Sequence, residues 1–334
     1  MTRTTKSLIA TLALAVGVIA PASAQDRELL NSSYDIAREL FADYNTLFKA
    51  HWEEQTGETV TIRQSHAGSS KQARAILQGL EADVVTYNQV TDVNILAERG
   101  NLIPTDWADR LPNNSSPYYS TMAFLVREGN PQGIENWDDL VAEGVDLIMP
   151  NPKTSGNARY TFLAAMGYAQ QRFGDDQAAI DAFLSDLLAQ VQVFDSGGRG
   201  STTTFVERGL GDVLLTFESE VNNITALHPD ENFQVVVPEV SFRAEFPVTV
   251  IDENIEANGT EDLARAYLEH LYSPEAQRLL AGFNYRVHDD AVQAENADRF
   301  PAVELLSVEE IAGSWDNAME IFASGGKLDQ LQRR

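Results

Sequence analysis

Apolar positions along the chain switch repeatedly between two spacings. Short alternating or continuous runs at 28–33, 60–64, 83–87, 123–127, 145–149, 192–194, 213–218, 233–237 and 246–251 predict β-strands. Between them, apolar residues three and four apart predict helices over 36–56, 71–79, 90–99, 157–173, 178–189, 202–208 and 260–280. That alternation points to α/β architecture. No repeat, low-complexity block or Pro- and Ser-rich linker interrupts it.

The strongest interior break is Leu111-Pro112-Asn113-Asn114-Ser115-Ser116-Pro117, and a β pattern leaves it. A first crossing between two lobes is expected there, and a second near Val237-Pro238. The extreme N-terminus differs from the rest. Arg3 and Lys6 precede an apolar run from Leu8 to Ala20, and Ala22-Ser23-Ala24 supplies small residues for cleavage. This has the form of a secretory signal peptide. As a membrane anchor the run is short of the roughly 20 residues a span requires. The arginines are unpaired, which favours the Sec route over the twin-arginine route. The expected organisation is a leader at 1–24, a first lobe at 25–117, a second lobe at 118–238 and a return to the first lobe at 239–334.

Composition narrows the classes of function. With 334 residues, 43% hydrophobic and 22% charged, the chain can bury a large core in about two domains. Its 50 acidic residues against 24 Lys and Arg give a formal charge of −26, which becomes −28 once the leader is removed. Such a surface repels nucleic acid and anionic lipid. There is no cysteine, so disulfides, thiolate metal sites and a Cys nucleophile are excluded. The histidines at 51, 66, 228, 270 and 288 form no H-E-x-x-H zinc motif. No cofactor or metal is expected.

Chemistry concentrates in four strand-to-helix turns rich in Gly, Ser and Asn. These are Ser32-Ser33-Tyr34-Asp35, then Gln64-Ser65-His66-Ala67-Gly68-Ser69-Ser70, then Asn151-Pro152-Lys153-Thr154-Ser155-Gly156-Asn157, and finally Asp195-Ser196-Gly197-Gly198-Arg199-Gly200-Ser201. Each leaves backbone N–H groups unpaired at a helix start. One such turn is an ordinary cap. Four together, two in each expected lobe, fit the crevice of open α/β sheets beyond the carboxyl ends of the strands. Several helix N-termini converging there could hold a small dianion without any Lys or Arg touching it.

At these turns the chain resembles the periplasmic sulfate- and thiosulfate-binding proteins of ABC importers. The matching segments are Leu29 to Asp35, Arg63 to Gln72, Asn151 to Arg159, Asp195 to Phe205 and Tyr272-Ser273-Pro274-Glu275, in that order. The stretches from Asp83 to Asp92 and from Phe217 to Ile224 look like the thiosulfate-type branch; the sulfate-type branch carries Trp where Phe217 stands. The resemblance implies a type II periplasmic-binding-protein fold, two α/β lobes with a ligand cleft between them. It implies backbone donors at Asp35, Ser69, Gly156, Asn157 and Gly198, a hydroxyl donor at Ser155, and Phe217 at the corner where an indole would otherwise donate. Asn88 and Gln89 become further candidates for selectivity, while Arg199 and His66 are expected to orient loops. The implied protein is a monomeric periplasmic receptor, not an enzyme, that captures thiosulfate and also sulfate and delivers it to a membrane permease.

Two other readings use the same residues. Sulfate could be the main ligand. A bilobed serine acyl-transfer enzyme would draw on the S-x-x-K spacing of Ser324-Gly325-Gly326-Lys327 and on Lys153-Thr154-Ser155, but the order of the motifs is wrong for that chemistry. Tyr118-Tyr119 suggests phenolate ligands for ferric iron less than packing at a hinge. Trp52, Trp107, Trp137 and Trp315 are expected to pack in the core or at the hinge, and the scattered acidic residues to form solvated helix faces.

Overall fold

A computed structural model describes residues 27–333; the expected leader lies outside the described residues. Two α/β halves are each built on a sheet. In the first, Arg27–Ser33 runs parallel to both Val60–His66 and Val84–Thr86, and Val248–Val250 closes the edge antiparallel. Helices cover both faces, so the central strands are apolar on both sides rather than alternating. Arg38–Thr56 packs on one face through Leu40, Phe41, Tyr44, Phe48 and Trp52, one stripe of an amphipathic helix. It ends at Gly57, whose φ of +73° is the left-handed C-cap that glycine favours. On the other face, Ser69–Leu77 and Val90–Glu98 bury Ala73, Ile76, Val93 and Leu96 with Val85 and Tyr87 of the sheet.

The second half has the strand order Val191–Asp195, Leu147–Pro150, Val213–Phe217, Met122–Val126, Gln234–Val236. Met122–Val126 runs antiparallel to both of its neighbours. Helix Gly156–Phe173 is buried almost all round, from Gly156 through Ala169 with Met166 only partly covered. A helix apolar on every side belongs inside a fold rather than on its surface.

The chain crosses between halves at Tyr118–Ser120 and returns through Val240–Phe242 into Ala244–Glu245. Ala244–Glu245, Tyr118–Ser120 and Arg286–Val287 form a small antiparallel sheet at the junction. Aromatic rings fill the space around it: Tyr118 lies 5.2 Å from Phe246 and 4.8 Å from Tyr285, and Tyr34 lies 5.3 Å from Phe246. Tyr118 therefore packs at the junction, with its hydroxyl among other phenols. Trp52, Trp107 and Trp137 are buried too, and Trp137 donates from Nε1 to the Val240 carbonyl at 2.8 Å.

Three expectations are corrected. The helix predicted over 260–280 is two helices, Glu261–His270 and Pro274–Gly282, because Pro274 cannot continue a helix and Ser273 caps the second one from outside. The helix predicted over 202–208 begins earlier, at Gly198, and ends in a π-helical turn, Thr203–Glu207. The third concerns the return segment, expected on the first lobe throughout. Its first strand, Val240–Phe242, still lies against the second half, where Met122 N donates to Ser241 Oγ at 3.1 Å; from Ala244–Glu245 to Arg286–Val287 it runs through the junction and the first half, with Tyr267 packed on Tyr44 and Phe48. Beyond that, Glu304–Leu306 pairs with Val240–Phe242, and the last helices strap onto the second half. Gln170 Nε2 donates to the Ile311 carbonyl at 3.0 Å, Ser185 Oγ to that of Leu331 at 2.8 Å, and Lys327 pairs with Asp181 at 2.6 Å. Leu306 and Ile311 pack so closely on Gly167 that a Cβ there would meet them at 2.6 and 3.0 Å.

Candidate functional site

All four expected turns end strands and begin helices. Arg27–Ser33 leads into Asp35–Ala37 and Arg38–Thr56, and Val60–His66 into Ser69–Leu77. In the second half Leu147–Pro150 leads into Gly156–Phe173, and Val191–Asp195 into Gly198–Thr202. Their cap residues, Tyr34, Gly68, Ser155 and Gly197, accept no bond from the helix through a side chain. Elsewhere Asp176, Ser273, Asp289, Ser307 and Ser314 do cap their helices in that way. Helices Val90–Glu98 and Glu218–Leu227 lack such caps as well, so what sets these four starts apart is that they come together; at the first of them the Asp35 carboxylate takes the Ile36 N–H at 3.1 Å.

The turns meet across the seam between the halves. A Cβ at Gly156 would fall 2.8 Å from the Gln89 Cβ and 2.9 Å from Asn88 Oδ1. One at Gly197 would fall 2.9 Å from Asp35 Oδ2, and one at Gly198 would fall 3.4 Å from Asn157 Nδ2 and 3.5 Å from Ile36 Cγ2. Ser69 Oγ donates to Asn88 Oδ1 at 2.6 Å. Contacts thus run from Ser69 through Asn88 to Gly156, and from Asn157 through Gly198 to the Asp35 turn. Of these three, Gly156 is the position where a side chain would collide, because the Gln89 Cβ cannot move without its backbone.

Side chains hold the turns rather than fill them. Asn157 is buried and donates from Nδ2 to Thr216 Oγ1 at 2.7 Å. Ser155 is buried, and its hydroxyl does not cap the helix it precedes. His66 lies between Gln64 and the Tyr34 carbonyl, which it contacts at 3.0 Å, and burial holds its pKa below the ordinary histidine value. Its neutral ring therefore braces the Asp35 turn. The Asp35 carboxyl is raised by burial, against the lowering effect of nearby backbone N–H groups. Phe217 is fully buried, 5.1 Å from Phe246 and 6.1 Å from Tyr160, in the aromatic wall that continues to the junction.

Two ion pairs tie the halves together beside these turns. Arg199 Nη2 contacts Glu39 at 2.9 and 3.0 Å, with both side chains about half exposed. Arg159 Nη1 lies 3.5 Å from Asp92 Oδ1, with both side chains only 6% exposed. Asp92 also accepts from Ser69 Oγ at 2.7 Å and from Ser70 Oγ at 2.7 and 2.9 Å, while Arg159 Nε donates to the Pro152 carbonyl at 3.0 Å. One carboxylate thus fixes the Ser69 turn, and its partner fixes the Ser155 turn. Glu39, Asp92 and Arg159 escaped the sequence reading.

Arg159 and Arg199 are thereby each matched by a carboxylate. Lys153 and Lys327, the basic groups of the acyl-transfer reading, are paired with Asp329 and Asp181. Among the described residues no group of three His, Cys, Asp or Glu side chains could hold a metal.

A family model for bacterial extracellular solute-binding proteins matches residues 36–286. A thiosulfate-binding protein of Escherichia coli is 57% identical over 96% of this chain and 95% of its own length. A sulfate-binding protein of the same species is 48% identical over 93% and 94%. In structure, the sulfate-binding protein SubI of Mycobacterium tuberculosis matches with a TM-score of 0.79 at 28% identity, over 89% of this chain and all of its own. The chain belongs to the family of bacterial extracellular solute-binding proteins.

Proposed function

We propose that this protein is a periplasmic receptor that closes on thiosulfate, takes sulfate as well, and hands the anion to the permease of an ABC importer without altering it. One observation carries the reading: four helix starts, two from each half, meet at one seam. Backbone N–H groups of Asp35, Ser69, Gly156, Asn157 and Gly198, with the Ser155 hydroxyl, would donate to the ligand. Hydrogen bonds to a charged acceptor contribute about 1.5–3 kcal/mol each. The divided donor set means that neither half alone completes the site, so the ligand favours the closed state. The relatives named for thiosulfate and sulfate support the same ligand class.

Preference for thiosulfate rests on Phe217. The terminal sulfur of thiosulfate is larger than oxygen and a poorer acceptor, and an aromatic ring without a donor suits it. Sulfate would leave one buried oxygen short of a partner there, at about 1–3 kcal/mol. The leader at 1–24 supports export through Sec with cleavage near Ala24, and the receptor is expected to act as a monomer.

Mass spectrometry of the anion released from purified protein, with calorimetry of thiosulfate and sulfate, tests the reading. Neither anion bound, or either one turned over, would refute the receptor. A Phe217→Trp variant should shift the ratio of affinities toward sulfate; an unchanged ratio in a folded variant removes Phe217 from selectivity.

A further inference from the structure

Gln89 is a polar side chain for which the fold supplies no partner. It follows strand Val84–Thr86 and stands just before helix Val90–Glu98, whose N-terminus it does not cap. It is 0% exposed, and both its Oε1 and its Nε2 lack a hydrogen-bond partner in the protein. Leaving a carboxamide unpaired inside a protein is costly, and buried polar groups are nearly always satisfied. The neighbouring carboxamide is better placed: Asn88 Oδ1 lies 2.6 Å from Ser69 Oγ. Gln89 comes from the first half, yet its Cβ presses on Gly156 of the second, one of the proposed backbone donors. The residue that bears the unpaired amide therefore stands where the two halves meet, beside a proposed ligand contact.

Resting on the anion-receptor reading above, we propose that Gln89 binds the ligand directly, donating from Nε2 to an oxygen of the enclosed dianion, and that it sets how well sulfate is tolerated. The four turns offer main-chain donors and one hydroxyl, and Phe217 offers none. Gln89 would be the neutral donor on the first-half side that partly makes good that deficit. Sulfate, which has an oxygen at every corner, depends on each donor present. Thiosulfate can turn its sulfur toward whichever corner lacks one.

The test is calorimetry of the full mature chain with sodium sulfate and sodium thiosulfate, on wild type, Gln89→Met and Gln89→Glu. Methionine keeps the length of the side chain and removes the donor. It should weaken sulfate about 10- to 100-fold and thiosulfate by less than about 3-fold, so that the ratio moves. In Gln89→Glu an ionised carboxylate faces a dianion, so both affinities should fall more than about 100-fold at pH 8 and recover as the pH is lowered and the carboxyl protonates. Unchanged affinities, or equal losses for the two anions, in a Gln89→Met protein with wild-type melting would overturn the proposal. If Gln89→Met melts early, Gln89→Glu decides: weakening with no recovery on acidification overturns it. Wild type that binds neither anion refutes the receptor reading instead.

Discussion

The buried pair of Asp92 and Arg159 makes a quantitative prediction about closure, because one member belongs to each half. At 3.5 Å and an effective dielectric of about 20, the direct attraction is about 5 kcal/mol. Removing two charges from water offsets much of that, and Arg159 Nη1 has no well-formed hydrogen bond to recover the rest. A net coupling of about 1–2 kcal/mol remains, or roughly 5- to 30-fold in an equilibrium. In an open conformation the two side chains separate and regain solvent. The coupling therefore acts on closure and so on apparent affinity. Asp92→Asn, Arg159→Met and the double variant form a cycle that isolates it, read by calorimetry with thiosulfate. Each single change should weaken binding, and the double variant should bind better than the product of the two losses predicts. The effect should appear mainly as faster release. Losses that multiply within about 0.5 kcal/mol, or small-angle scattering showing the ligand-bound single variants as compact as wild type with unchanged affinity, would refute the latch.

Other expectations come from the same geometry. Gly156→Ala puts a methyl group 2.8 Å from the Gln89 Cβ and 2.9 Å from Asn88 Oδ1, so closure is blocked and anion affinity should fall at least about 100-fold while the melting temperature of the free protein holds; calorimetry paired with thermal melting checks both. Ser155→Ala should cost about 1.5–3 kcal/mol of binding, or 10- to 150-fold, by deleting a donor to a charged ligand. Burial raises the Glu220 carboxyl to about 7, with Thr202 and Arg199 acting against that rise and Asp35 and Glu39 adding to it. Folded protein then holds a proton that the unfolded chain has lost between about pH 4.5 and 7, so this group lowers stability as pH rises through that window, by at most about 3 kcal/mol. Glu220→Gln should raise the melting temperature at pH 8 and leave it unchanged at pH 4; equal shifts at both would refute the assignment.

The helix starts were legible in the sequence because their chemistry is local. Gly, Ser and Asn after a β run specify a turn wherever the chain later travels, and Gly156 stands where Asn88 and Gln89 of the other half press close. What joins the halves was not legible. Glu39 and Arg199 are 160 residues apart, and nothing near either residue indicates its partner. Asp92 resembles any helix acid until its burial is seen. The strap at 304–331 failed for a related reason: Leu306, Ile311 and Leu331 are too widely spaced to reveal which half they cover. Pro274 could have divided the predicted helix at 260–280, but the apolar periodicity on either side continues in phase and conceals the break.

An acidic protein that captures a dianion has to keep long-range repulsion apart from short-range attraction. The formal charge of −26 is carried largely by exposed carboxylates, whose field is screened by salt within about 10 Å. At the seam Arg159 is matched by Asp92 and Arg199 by Glu39, and burial raises the nearby Asp35 and Glu220 carboxyls toward their neutral forms. An unpaired arginine there would bind a dianion in the open state as well as in the closed one, and binding that does not distinguish two conformations cannot drive the change between them. Neutral donors divided between two halves act differently. Each half alone offers an incomplete shell, and only closure completes it. The ion pairs then strengthen the same distinction, because they too form only when the halves meet. A partner that prised the halves apart would break the donor shell and both latches together. Tight capture and release on opening are thus compatible in one site without a titrating group in contact with the ligand.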